Sequence, residues 1–180
     1  FKGNIYEMKR LLEKNINIPQ EYERIYQERK GKVDKFDLKR WKYLIKNFRG
    51  GKIIDLGCLD SQIPFMVVDS ADEVWGLDFA EEVIEDLSEH NIYDNKLHWI
   101  KGDVYETRFP NEYFDYAVMG EIIEHLEEPE RAIREAIRIL KPRGILTLST
   151  PLEETGVGEV DGERHLWSFN KEDIRELLKP

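Results

Sequence analysis

A chain of 180 residues, 41% of them hydrophobic, is long enough for one compact domain with a buried core, and no linker-like stretch divides it. A net charge of -10 and a pI near 5.0 argue against a broad electrostatic grip on nucleic acid, although a local basic patch can survive that average. The single cysteine excludes an internal disulfide, and no apolar run approaches the roughly 20 residues of a membrane-spanning helix, so a cytoplasmic protein is the expectation.

The first 51 residues read as a helical cap. Ile5, Met8, Leu11 and Leu12 share one helix face, and Leu38, Trp41, Leu44, Ile45 and Phe48 share another that ends at Gly50-Gly51. Residues 52–180 read as the core. Short apolar runs predict strands at 52–56, 73–77, 97–101 and 114–119, with helices from about Ser61 and over 80–89. Ala132, Ile133, Ala136, Ile137 and Leu140 form the stripe of a helix that starts at Pro129 and stops before Pro142 and Gly144; a strand over 145–149 follows. Residues 152–164, with three glycines and five acids, predict a loop over the strand ends, and Asn170 caps a final helix. Alternating strands and helices imply an α/β doubly wound sheet.

Each buried-strand run stops at an acid or a glycine, where a parallel sheet opens a ligand crevice. Asp55-Leu56-Gly57 lets backbone approach a ligand closely. Asp78 lies 23 residues after Asp55, close to the spacing at which an acid on the second strand accepts hydrogen bonds from ribose hydroxyls. Asp103 and the Val104 amide follow the third strand, where they can read an adenine edge. Together these positions describe an adenosine-bearing cofactor.

The stretches Glu121-Ile-Ile-Glu124-His125-Leu, Pro129-Glu130, Arg138-Ile-Leu-Lys-Pro-Arg-Gly144 and Leu148-Ser-Thr-Pro151 resemble class I S-adenosylmethionine-dependent methyltransferases, in the branch with ubiquinone-pathway O-methyltransferases; the likeness runs from about 52 to 178. The resemblance implies a Rossmann-like sheet of order 3-2-1-4-5. It also places Asp55, Gly57 and Cys58 at the methionine half of the cofactor, Asp78 and Phe79 at ribose and adenine, Asp103 and Val104 at adenine, and Met119, Gly120 and Glu121 beside the sulfonium. The family's first loop usually carries three alternating glycines, whereas here Leu59 and Ser61 fill the second and third positions. A positive φ at Leu59 would cost on the order of 1–2 kcal/mol, and an altered loop path is the equal alternative. Too few residues follow Lys179 to supply the family's two closing strands, so the sheet is expected to have five.

Methyl transfer to an oxygen acceptor such as a quinone-like or sugar hydroxyl needs a proton acceptor, and His125 and His165 are the candidates. Tyr22 and Tyr26, one turn apart among charges, are expected to reach the cofactor or the acceptor. No resident metal is expected. If one binds, Glu121, Glu124 and His125, at i, i+3 and i+4 of a helix face, converge on it with His165, in a set that resembles the metal site of small-RNA 2′-O-methyltransferases. That enzyme is one alternative to a small-molecule methyltransferase, and a non-catalytic cofactor-binding module is another.

Overall fold

The computed structural model describes residues 9–10, 17–93, 95–152, 159–160 and 163–179. In chain order the elements are β1 (Lys9–Arg10), α1 (Pro19–Arg29), α2 (Lys35–Leu44), β2 (Lys52–Leu56), α3 (Ile63–Val67), β3 (Glu73–Asp78), α4 (Glu81–Glu89), β4 (Leu97–Lys101), β5 (Phe114–Gly120), α5 (Pro129–Ile139), β6 (Leu140–Ser149), β7 (Glu159–Val160), β8 (Glu163–Arg164), β9 (Trp167–Ser168) and α6 (Lys171–Leu177). Five strands form one parallel sheet in the order β4-β3-β2-β5-β6, the expected 3-2-1-4-5 arrangement.

Period-two alternation divides the core between the two faces of this sheet. On β2 and β5, Ile54, Leu56, Ala117 and Met119 face α5, whose Ala132, Ile133, Ala136 and Ile139 are all buried. Ile53, Tyr116 and Val118 face the other way, onto Trp41 and Leu44 of α2 and Ile63 and Val67 of α3. Both faces of the central strands are therefore covered, which is why they read as continuous apolar runs.

Local differences from the expected elements have identifiable causes. The α2 helix stops at Leu44, before Gly50 and Gly51, and Leu38 is 39% exposed instead of joining the buried stripe. The last strand begins five residues early: Leu140 pairs with Phe114, the register shifts through Pro142, Arg143 and Gly144, and pairing resumes at Ile145 with Tyr116. The helix expected around Ile5, Met8, Leu11 and Leu12 lies outside the described residues except for Lys9–Arg10, which are extended and pair antiparallel with β9. Most of the loop expected at 152–164 also lies outside them, and the described pieces, β7 and β8, pair antiparallel. Asn170 caps α6 as expected, in a reciprocal box with Asp173.

Candidate active site

The carboxyl ends of β2, β3 and β5 open on a cleft of about 1420 Å³, also lined from the α1–α2 segment, the turn after β4 and the chain around His165. Its floor is the loop 57–61. Gly57 has φ 74°, a conformation that favours glycine, and a Cβ there would lie 2.2 Å from the end of the Ile122 side chain, which would have to shift. The amides of Gly57 and Cys58 both donate to Leu77 O, at 2.8 and 3.0 Å. Leu59 takes φ 31°, and its amide donates to Asp78 Oδ2 at 2.9 Å, while the Ala80 amide donates to Oδ1 at 3.0 Å. One buried carboxylate thus fastens both the loop and the start of α4, and burial raises its pKa above the usual range.

The wall after β5 turns on Glu121, a non-glycine residue at φ 54°. This left-handed residue ends the strand, and a single 3-10 turn over Ile123–His125 follows. Glu121 therefore does not stack on Glu124 and His125 as helix spacing predicts; its Oε2 lies 3.6 Å from Arg40 Nη1. Glu124, His125 and His165, all buried, do converge, with one potential ligand atom from each lying within 4.8 Å of the others. Thr150 Oγ1 donates to Glu124 Oε2 at 2.9 Å, and the Leu166 amide donates to Glu124 O at 2.7 Å, which ties the turn to the segment that carries His165. The two imidazoles meet edge to face with ring centroids 4.8 Å apart.

The helices before the sheet close the cleft from a third side. Arg29 Nε lies 3.0 Å from Asp60 of the loop, and Arg40 Nη2 donates to Asp37 at 2.7 Å while its Nη1 faces Glu121. Arg40 Nε is buried without a hydrogen-bond partner among the described residues. Tyr22 lines the cleft, with its ring 5.3 Å from Phe79 and 5.8 Å from His125. Tyr26 does not line it: the ring packs on Ala80 and Val83, and the hydroxyl donates to Asp86 at 2.7 Å, so it fastens α1 to α4.

A family profile described as a methyltransferase domain matches residues 54–148, more than half of the chain and nearly the whole sheet. The chain belongs to this methyltransferase-domain family. A demethylmenaquinone methyltransferase of Staphylococcus haemolyticus is 30% identical over 100 residues, covering 54% of this chain and 42% of that protein. A ubiquinone biosynthesis O-methyltransferase of Haemophilus ducreyi is 29% identical over 107 residues, covering 56% of this chain and 45% of that protein. The matched stretch is thus under half the length of either relative. Among solved structures, the [4+2]-cyclase SpnF superposes with a TM-score of 0.67 at 25% identity, over 79% of this chain and 56% of SpnF.

Within this methyltransferase domain, Gly57, Cys58, Asp78, Phe79, Asp103, Val104, Gly120 and Glu121 line the cleft together with His125 and His165. Asp55 and Met119 do not. Met119 alternates onto the α5 side of β5 and is fully buried there. Asp55 lies beneath the loop, 3% exposed, where burial outweighs a hydrogen bond from Ser61 and pushes its pKa up to about 7. Its folded-state pKa therefore exceeds the unfolded value of about 3.9. The stability linked to this carboxyl is fully present below that unfolded value and is lost as the pH rises through about 7. Asp55→Asn is expected to raise the melting temperature at about pH 8 and to leave it unchanged near pH 4. Equal shifts at both pH values would mean that the carboxyl is already ionised in acid.

Arg40 is a cleft residue that the sequence pattern did not single out. Its signal is nonetheless present: in the helix KFDLKRWKYL it is the one arginine among four cations, and a planar fork of donors suits carboxylate pairing better than an ammonium group does.

Proposed function

We propose that this chain transfers a methyl group from S-adenosylmethionine to a small-molecule acceptor of quinone-like or sugar type, at oxygen. The observation that carries this reading is one cleft that combines the strand-end acids Asp78 and Asp103 with two buried imidazoles. The residues fit the cofactor: Asp78 and the exposed Asp103 offer acceptors for ribose and adenine groups, and the unpartnered Arg40 Nε offers a donor for the methionine carboxylate. When bound, the cofactor supplies an electron-poor methyl carbon on a sulfonium that leaves as a neutral thioether. The chain's own contribution is to hold the acceptor oxygen in line and to take its proton on His125 or His165. Helices α1 and α2 act as the cap over that cleft, latched through Arg29 and Arg40. Relatives named for quinone methylation support the acceptor class. SpnF, a cyclase on a similar scaffold, is the reason to measure transfer itself and not cofactor binding alone.

A second reading rests on the convergence of Glu124, His125 and His165: two imidazoles and a carboxylate are a donor set for a divalent cation that polarises the acceptor hydroxyl. One assay separates the two. With labelled S-adenosylmethionine and a panel of catechol-, quinol- and sugar-type acceptors, transfer that persists in excess chelator supports imidazole as the base. Transfer lost to chelator and restored by magnesium or zinc supports the cation. Saturable cofactor binding with no transfer to any acceptor would reduce the protein to a binding module.

A further inference from the structure

Ten of the chain's 27 Lys and Arg residues lie between Arg29 and Lys52, together with only two of its 37 Asp and Glu. This stretch carries +8, while the remaining residues carry -18. The structure gathers much of that charge on one face. Lys35, Lys39 and Lys42 follow one row of α2, Lys46 continues it in the next turn, and all four are exposed. Beside the row, at i and i+7, stand Phe36 and Tyr43, 82% and 66% exposed; Val33 and Leu38, also exposed, extend the apolar area. The ammonium of Lys46 lies 3.6 Å from the centre of the Tyr43 ring. Val33 and Phe36 line the mouth of the cleft, so the patch and the cleft open on the same side.

We propose that this face docks on an anionic lipid bilayer, with Phe36 and Val33 entering the headgroup boundary and the lysine row lying against acidic headgroups. The combination is specific in two respects. Large apolar side chains this exposed among lysines match the interfacial helix pattern, in which burial and headgroup attraction act together. A planar surface also touches the basic face alone, whereas a long flexible polyanion wrapping the molecule would meet the -18 carried elsewhere. The aliphatic Val33 and Leu38 add area for acyl chains but no plane on which a base can stack. The attachment proposed for this face is peripheral; no helix among the described residues is long and apolar enough to cross a membrane. It directs the cleft mouth at the lipid surface, where an acceptor with a long apolar tail would reside. The docking itself does not depend on methyl transfer.

Co-sedimentation of the full chain with vesicles tests this directly, using phosphatidylcholine alone and phosphatidylcholine mixed with phosphatidylglycerol. Binding to the mixed vesicles is expected to exceed binding to the neutral ones by at least about tenfold and to weaken with salt. Lys35→Glu combined with Lys39→Glu and Lys42→Glu, and separately Phe36→Asp, should each lower it by about tenfold or more. All four side chains are exposed, so the melting temperature should not change. Equal binding to both vesicle types, or to neither, overturns the proposal. Full binding by Phe36→Asp also overturns it, because the face would then touch charge without insertion. Salt-sensitive binding to single-stranded RNA with none to vesicles would assign the patch to nucleic acid instead.

Discussion

Asp78→Ala is expected to weaken S-adenosylmethionine and S-adenosylhomocysteine by at least about a hundredfold in a calorimetric titration, a difference of roughly 3 kcal/mol. Two losses combine in this variant. The carboxylate accepts the Leu59 and Ala80 amides, so its removal frees the loop from the end of β3, and each stranded amide costs about 1–3 kcal/mol unless water reaches it. The same carboxylate is the proposed acceptor for the ribose hydroxyls, and no other acid extends from the end of β3. Leu59 borders the cleft, where its amide can rehydrate, whereas Ala80 is fully buried and its amide is stranded, so the melting temperature should fall as well. Near-normal affinity in a folded Asp78→Ala protein would move the ribose elsewhere in the cleft.

Replacing both imidazoles, His125→Gln with His165→Gln, is expected to lower the rate of methyl transfer by about 10²–10⁴. Cofactor affinity should stay within about twofold, because the acids assigned to the nucleoside lie on other strands. The single variants identify the base: its loss carries most of the effect and removes the acid limb of the rate–pH profile, whereas the other imidazole acts by positioning. A change in affinity with no change in rate would mean that the pair shapes the cofactor pocket and takes no proton. Metal content measured on wild type and on the double variant separates a lost base from a lost cation site.

The sheet could be read from the sequence because local information specifies it. Runs such as Ile53-Ile54-Asp55-Leu56 are buried on both faces, and their length, composition and terminating acid all agree with the observed strand. The positive φ of Leu59 was one of two paths the sequence left open, because a side chain at a glycine position either takes the strain or moves the loop. Other parts of the site depend on partners distant in sequence. Tyr26 pairs with Asp86, 60 residues away, and nothing near it in the chain distinguishes that structural role from a place in the cleft. The spacing of Glu121, Glu124 and His125 suggested one helix face, but a left-handed residue and a single tight turn broke that geometry, and His165 joined the two survivors through tertiary contacts. Arg40 matters through Asp37 on its own helix and Glu121 just past the end of β5, a relation that exists only once α2 has docked.

The φ of 31° at Leu59 also bears on how readily this protein can be improved. A side chain held in a conformation that glycine adopts without penalty leaves the loop short of its lowest energy, and its anchor on Asp78 prevents it from relaxing. Selection for a more stable loop therefore has a single-substitution route open at this position. A library built on residues 59 and 61 should recover glycine at 59 among its first winners, against whatever packing on Tyr26 the leucine provides.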